Sequence, residues 1–241
     1  MCYSAEYSLR ISLISLIAII SLLLSGNPNF KWLAIVLIGW CGMQLVEFLL
    51  WLTNPEKMSE EGHEEGHEEG PEDNKCSEWN NLISVSLVPL VLILQPLGPL
   101  FGSLFVIPWN KSSTFRKYFF FLFSLFIISS IVYFYDNPNK CTTVTPQGHL
   151  WWSSNKVDVN TPVGTIILYS WAFLIILPFL LFWDKNFIII GLFVFIPLLG
   201  LFYDRYYTDS KGSIWCYYTS YSSITALVLF VLHKLGLPIM V

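Results

Sequence analysis

The chain has 241 residues, 54% of them hydrophobic and only 12% charged, and a formal net charge of −4 at pH 7. That charged fraction is about half the value of an average soluble domain, which excludes an ordinary water-soluble enzyme. The composition fits a chain whose main partner is the lipid bilayer, and nothing in it points to a nucleic-acid partner.

Apolar runs fall in chain order at 9–25, 31–53, 81–107, 118–135, 164–183, 186–203 and 214–236. About 18 or more apolar residues suffice to cross a hydrocarbon core roughly 30 Å thick, at a rise of 1.5 Å per residue. In lipid every backbone N–H and C=O must be paired within the chain, so the runs are predicted to be helices rather than strands. The predicted fold is all-α, a single seven-helix polytopic membrane domain covering 1–241. Pro89, Pro96, Pro99, Pro178 and Pro197 lie inside the runs, where neighbouring helices, hydroxyls or water can take up the carbonyls they free.

The first run lacks the basic flank and small-x-small site of a cleaved signal peptide, and is read as a retained helix. Ser8, Ser12, Ser15 and, less well aligned, Ser21 mark a face suited to close packing on a neighbour. In the second run Gln44, Glu47 and Trp51 are spaced three and four apart and share one face, with Glu47 about two turns below the outer end. An ionisable group at that depth is a functional-site candidate by default. Its nearest cation is Arg10 on the antiparallel neighbour, so a structural Arg10–Glu47 ion pair locking the two helices competes with a transport or proton-handling role.

The 54–80 loop repeats Glu-Glu-Gly-His, with His63 and His67 four apart. It is acidic, glycine-interrupted and without a core, which predicts a partly disordered tether. Its two imidazoles could loosely hold a divalent cation such as Zn²⁺ or Cu²⁺; no other cofactor is expected. The third run carries Asn80 and Asn81 at its start and Gln95-Pro96 near its middle, where a proline could open the helix to water or a ligand, or simply kink it for packing. The 136–163 loop contributes His149, Trp151 and Trp152, and the seventh run opens Gly212-Ser-Ile-Trp215-Cys216-Tyr-Tyr-Thr-Ser-Tyr221. These aromatics could roof a cavity with Trp51 and Trp79, or form the belt that Tyr and Trp make at membrane interfaces.

Charge sets the expected orientation. The side bearing the N-terminus and the 54–80, 136–163 and 204–213 loops holds seven Lys and Arg against fifteen Asp and Glu. The other side crowds Lys31, Lys111, Arg116, Lys117, Lys185 and Lys234 into little polar chain. Lys and Arg density in short loops favours the cytoplasm, which predicts an outside or lumenal N-terminus and a cytoplasmic C-terminus. Cys2, Cys76, Cys141 and Cys216 then face an oxidising compartment and are expected to form two disulfides in one of three pairings. Cys41 lies mid-membrane.

Several enzyme classes are excluded. The four histidines are His63, His67, His149 and His233, none of them central to a run, so histidine-box oxygenases and intramembrane zinc hydrolases lack their ligands. No G-x-S-x-G, H-E-x-x-H or phosphate-cradling glycine loop occurs.

The opening Met-Cys2-Tyr-Ser4-Ala-Glu-Tyr-Ser8, Met43-Gln44-x-x-Glu47-x-x-x-Trp51, Cys76 with Asn80 and Asn81, Gln95-Pro96, His149-Leu-Trp151 and Gly212-Ser-x-Trp215-Cys216 together resemble an uncharacterised multi-pass membrane family of giant viruses and of algae or other protists, whose members often begin Met-Cys-Trp-Ser. Tyr3 departs from that start, and the Glu-Gly-His repeat looks like a local insertion. The resemblance implies a shared architecture and a shared outer polar cluster, and no reaction. The leading expectation is an ion or small-solute conduit or ligand-binding protein, with an outer vestibule built from Gln44, Glu47, Trp51, Asn81, Gln95, Trp151 and Trp215. A structural or assembly protein of a viral or organellar membrane is the second class, and a thiol- or metal-dependent membrane enzyme the third. Host endomembrane, plasma membrane and virion membrane are not distinguished.

Overall fold

The computed structural model describes residues 4–55, 76–105, 113–136, 141–145, 148, 150–152, 162–182, 193 and 211–237. Six of the predicted spans coincide with helices there; the run at 186–203 lies outside the described residues, Phe193 apart. Helix α1 (Ala5–Leu23) starts at Ser4, whose side chain accepts from the backbone N–H of Tyr7. This satisfies one of the donors a helix start leaves open. A tight turn through Gly26, at φ 77°, reverses the chain. Helix α2 (Pro28–Leu52) then begins with Asn27 as cap and proline at its first position, where a missing N–H costs nothing.

The third run is one rod in three parts: α3 (Glu78–Leu82), a π-helical turn Ile83–Leu87, and α4 (Val88–Phe105). Then come α5 (Ser113–Asp136), α6 (Pro162–Phe182) and α7 (Lys211–Lys234). Three helical stretches among the described residues are long and apolar enough to cross a membrane: Ala5–Leu23, Pro28–Leu52 and Glu78–Gly102. Shorter apolar stretches run Phe120–Tyr135 in α5 and Tyr169–Phe179 in α6.

One departure from the all-helical expectation lies in the 136–163 loop. Strands β1 (Thr142–Val144) and β2 (Leu150–Trp152) form an antiparallel hairpin in which Thr143 stands opposite Trp151. Thr-Thr-Val and Leu-Trp-Trp are β-branched and aromatic segments that suit a pleated surface. Three residues are too few for periodicity to reveal.

Helix α2 is the axis of the bundle. The apolar window of α2 is 67% buried, against 28% for α1 and 39% for the α3–α4 rod. Helices α1, α4 and α7 pack around it, α1 also meets α7, and α6 joins α4 to α5. Of the serine face expected on α1, Ser8 and Ser15 turn inward while Ser12 and Ser21 are half-buried, and Ser8, Ile11, Ser15, Ala18 and Leu22 are buried at alternating steps of three and four. The crossing of α2 with α4 is close. A Cβ on Gly39 would lie 2.6 Å from the carbonyl oxygen of Leu94, and one on Gly98 would lie 2.9 Å from that of Ile35. Gly102 clears the slot for the Trp32 indole, which a Cβ would approach to 2.6 Å. Small residues at such positions let helix backbones touch, the main source of helix association where lipid removes the hydrophobic drive.

Candidate functional site

The bundle has two unlike halves. At mid-depth, Ser223 of α7 meets Ser15 of α1 at 2.8 Å and the Cys41 thiol of α2 at 2.9 Å, oxygen to oxygen and oxygen to sulfur. From this junction α1, α2 and α7 each rise about 17 Å, at 1.5 Å per residue, to Ser4, Thr53 and Lys211. This end, where α1 starts, is termed the upper end. Buried hydroxyl, amide and carboxyl side chains among the described residues lie at or above mid-depth: Ser8, Gln44, Glu47, Asn80, Ser84, Gln95, Ser130, Thr142, Thr145, Thr219, Ser220 and Ser222 join the junction serines.

Below mid-depth the interior is aromatic and aliphatic. Phe179 of α6 meets Trp32 at 4.9 Å and Trp40 at 5.6 Å, and stacks on Phe193 at 6.2 Å. Phe30 packs edge-on against Phe230 at 5.9 Å and the His233 ring at 5.1 Å.

The upper end is closed by a clamp centred on Asn80. Its Nδ2 donates to Thr53 Oγ1 and to the Thr142 carbonyl, each at 3.0 Å. Its Oδ1 accepts from the Thr142 N–H at 2.8 Å and from Ser84 Oγ at 3.3 Å. The carboxamide thus pairs with both backbone groups of Thr142, as a neighbouring strand would, while Ser84 Oγ meets Thr142 Oγ1 at 2.7 Å. Beside it the disulfide Cys76–Cys141 ties the start of α3 to the start of β1 across 65 residues. The backbone N–H of Val88 reaches the Ile83 carbonyl, and this widened π turn contains Ser84 and ends just before Pro89. Single π turns of this kind often mark functional positions.

Of the expected vestibule residues, Gln44 and Glu47 are fully buried on successive turns of α2, and Gln95 is fully buried on α4. The Cα of Gln95 lies 3.4 Å from where a Cβ on Gly39 would stand. That level is about 12 Å below Glu47 at 1.5 Å per residue, so Gln95 occupies mid-depth while Glu47 sits in the upper half. Trp51 and Trp151 are half-buried, and Asn81 is exposed; its neighbour Asn80 is the residue that turns inward. The salt bridge of Arg10 is with Glu6, one turn earlier on its own helix, rather than with Glu47: the Arg10 side chain is 72% exposed. A guanidinium left exposed avoids the several kcal/mol of desolvation, to order of magnitude, that a buried pair must offset.

At the Gln95-Pro96 step the carbonyl that Pro96 frees is taken up by a neighbouring helix. Pro96 has no N–H for the carbonyl of Leu92, and the Trp171 indole of α6 donates to that oxygen at 3.3 Å. The Trp32 indole likewise donates to the carbonyl of Pro99 at 3.2 Å. The third run stays one helical rod through both prolines.

Trp215 and Cys216 fall in the first turns of α7, but their side chains lie outside the described residues, as do Cys2, His63 and His67. Among the described residues no group of three or more His, Cys, Asp or Glu gathers as metal ligands would. The residues that sequence reasoning missed are Asn80 as the clamp, Trp171 as the partner of Pro96, and Gly39 with Gly98-x-x-x-Gly102 as the close crossing. The small-xxx-small spacing was a usable signal for the last.

Membrane-length apolar helices around a polar upper half define a helical protein suited to the bilayer. Comparison of the chain with protein-family models, with curated proteins and with solved structures finds no match in any of the three.

Proposed function

We propose that the chain threads a membrane seven times, with its upper end outside or lumenal, and that its polar upper half binds a small cation or protonatable solute through Glu47. The observation that carries this reading is the sidedness of the interior. A carboxyl buried on α2, with Gln44 one turn below it, lies in the half that also buries the hydroxyls of α1 and α7, above an aromatic seal. Buried acids in spans mark ion or proton sites because lipid rejects them unless they do work. Solute would enter from the upper end, and passage would require Phe179 to leave Trp32 and Trp40. The family resemblance supports the same architecture and assigns no reaction.

Glu47→Gln, which keeps size and removes charge, tests the reading in purified protein reconstituted into liposomes. Alkali, alkaline-earth and proton titrations of the melting temperature should give a saturable stabilisation in the wild type. Glu47→Gln should weaken the midpoint by about tenfold or more, equivalent to about 1.4 kcal/mol, while still folding. If neither protein responds to any of these cations, the binding reading fails.

A structural or assembly role is the second reading. It is favoured by the clamp and by the indole–carbonyl bonds, in which polar groups serve the chain itself. That reading predicts loss of folding for Glu47→Gln with no separable binding.

A further inference from the structure

We infer that the lower ends of α2 and α7 form a binding site for the headgroup of an anionic phospholipid, held between Lys31 and Lys234. This rests on the membrane-spanning reading and is independent of any role for Glu47. Depth gives the first argument. Lys31 lies ten residues below Cys41 on α2, and Lys234 eleven below Ser223 on α7, so from the contact between those two residues both lysines descend about 15–17 Å at 1.5 Å per residue. Half a hydrocarbon core is about 15 Å, so both ammonium groups arrive at the level of lipid phosphates.

The second argument is lateral. Phe30, which precedes Lys31, is fully buried and holds the His233 ring edge-on at 5.1 Å and Phe230 at 5.9 Å. The Lys234 ammonium lies 5.7 Å over the Phe230 ring, which holds it on this side of α7. Helix α7 ends here in a Schellman turn: Leu237 N–H reaches the Leu232 carbonyl and Gly236 N–H that of His233, with Gly236 at φ 75°. Those carbonyls are consequently occupied, and do not confront an incoming anion as bare acceptors.

The third argument is charge and chemistry. No Asp or Glu occurs from Ile11 to Val46 or from Lys211 to Val241, so no acid in these segments competes for the lysines. The apolar collar is exposed at the same level, with Leu24 at 80% and Leu235 at 71%. Two cations at one level, with apolar side chains beside them, fit a phosphate with its acyl chains better than a soluble anion. Each Lys near an anionic membrane surface contributes about 1 kcal/mol, or about fivefold in affinity.

The full chain is purified from vesicles mixing phosphatidylcholine and phosphatidylglycerol, and the retained lipid is counted by native mass spectrometry. The wild type should prefer phosphatidylglycerol by about 30-fold, and Lys31→Gln/Lys234→Gln by no more than about threefold. Arg10→Gln, at the opposite end, should leave the preference intact. Should the double variant fail to fold, each single variant is expected to lose about fivefold. Equal preference in wild type and lysine variants overturns the site, and so does displacement of phosphatidylglycerol by inorganic phosphate, which would make the occupant a free anion. Failure of the protein to float with vesicles at all would instead overturn the membrane-spanning reading.

Discussion

Asn80 ties the upper end together. Its amide meets Thr53 after α2, Thr142 in β1 and Ser84 in the π turn, so three chain segments converge on one side chain. Removing it strands the Thr142 N–H and carbonyl in a buried place, where each lost partner costs about 1–3 kcal/mol. Asn80→Ala should therefore lower stability by about 2–3 kcal/mol in a detergent-solubilised melt, whereas Asn81→Ala, on an exposed residue, should stay within about 0.5 kcal/mol. Equal effects from the two would remove the clamp from the account. The pair also shows what a sequence can disclose at this scale. Two asparagines at the start of an apolar run announce a polar upper end, but consecutive helix residues point about 100° apart, and only packing decides which one faces in. The same limit applies to Arg10. The helical hairpin made Arg10 the expected partner of Glu47, while its pairing with Glu6 one turn away goes with an exposed side chain, which residue spacing does not encode.

Between helices, the tests concern backbone groups that proline leaves open. The bond from Trp171 to the Leu92 carbonyl replaces the one Pro96 cannot make, which turns a possible hinge into a fastening between α4 and α6. Side-chain bonds between membrane helices are worth about 0.6 kcal/mol on average and up to about 1.7. Trp171→Phe should cost that amount in the wild type and less in a Pro96→Ala background, where the new N–H of residue 96 takes the Leu92 carbonyl. A double-mutant cycle on unfolding free energy measures the difference, and identical costs in both backgrounds would disconnect the indole from the proline. The proline was readable from the sequence, and so was the carbonyl it frees. The donor was not, since it lies 79 positions away. The hairpin escaped for a related reason: β1 is held by a side-chain amide and a disulfide, neither of which leaves a local pattern.

For the molecule as a whole, the apolar runs were the most legible feature, because helices in lipid need length and little else. Six of the seven lie on helices among the described residues. The division of the interior was less legible: Gln44 and Glu47 hint at it, but the serines of α1 and α7 become a polar half only once Ser15, Cys41 and Ser223 are seen to touch. That contact also fixes a depth scale, from which the topology becomes testable. With mid-depth at Cys41, residue 6 stands near one surface and residue 235 near the other, roughly 30 Å apart by helix rise. Glu6→Cys and Leu235→Cys change exposed positions and should fold. In sealed vesicles whose upper ends face outward, a membrane-impermeant maleimide should add label to the Glu6→Cys protein beyond that of the parent. Leu235→Cys should gain label only after permeabilisation. Labelling of both positions without permeabilisation would mean that α1 and α7 do not carry the chain from one surface to the other, and reversed accessibility would place the six cations of the lower side outside.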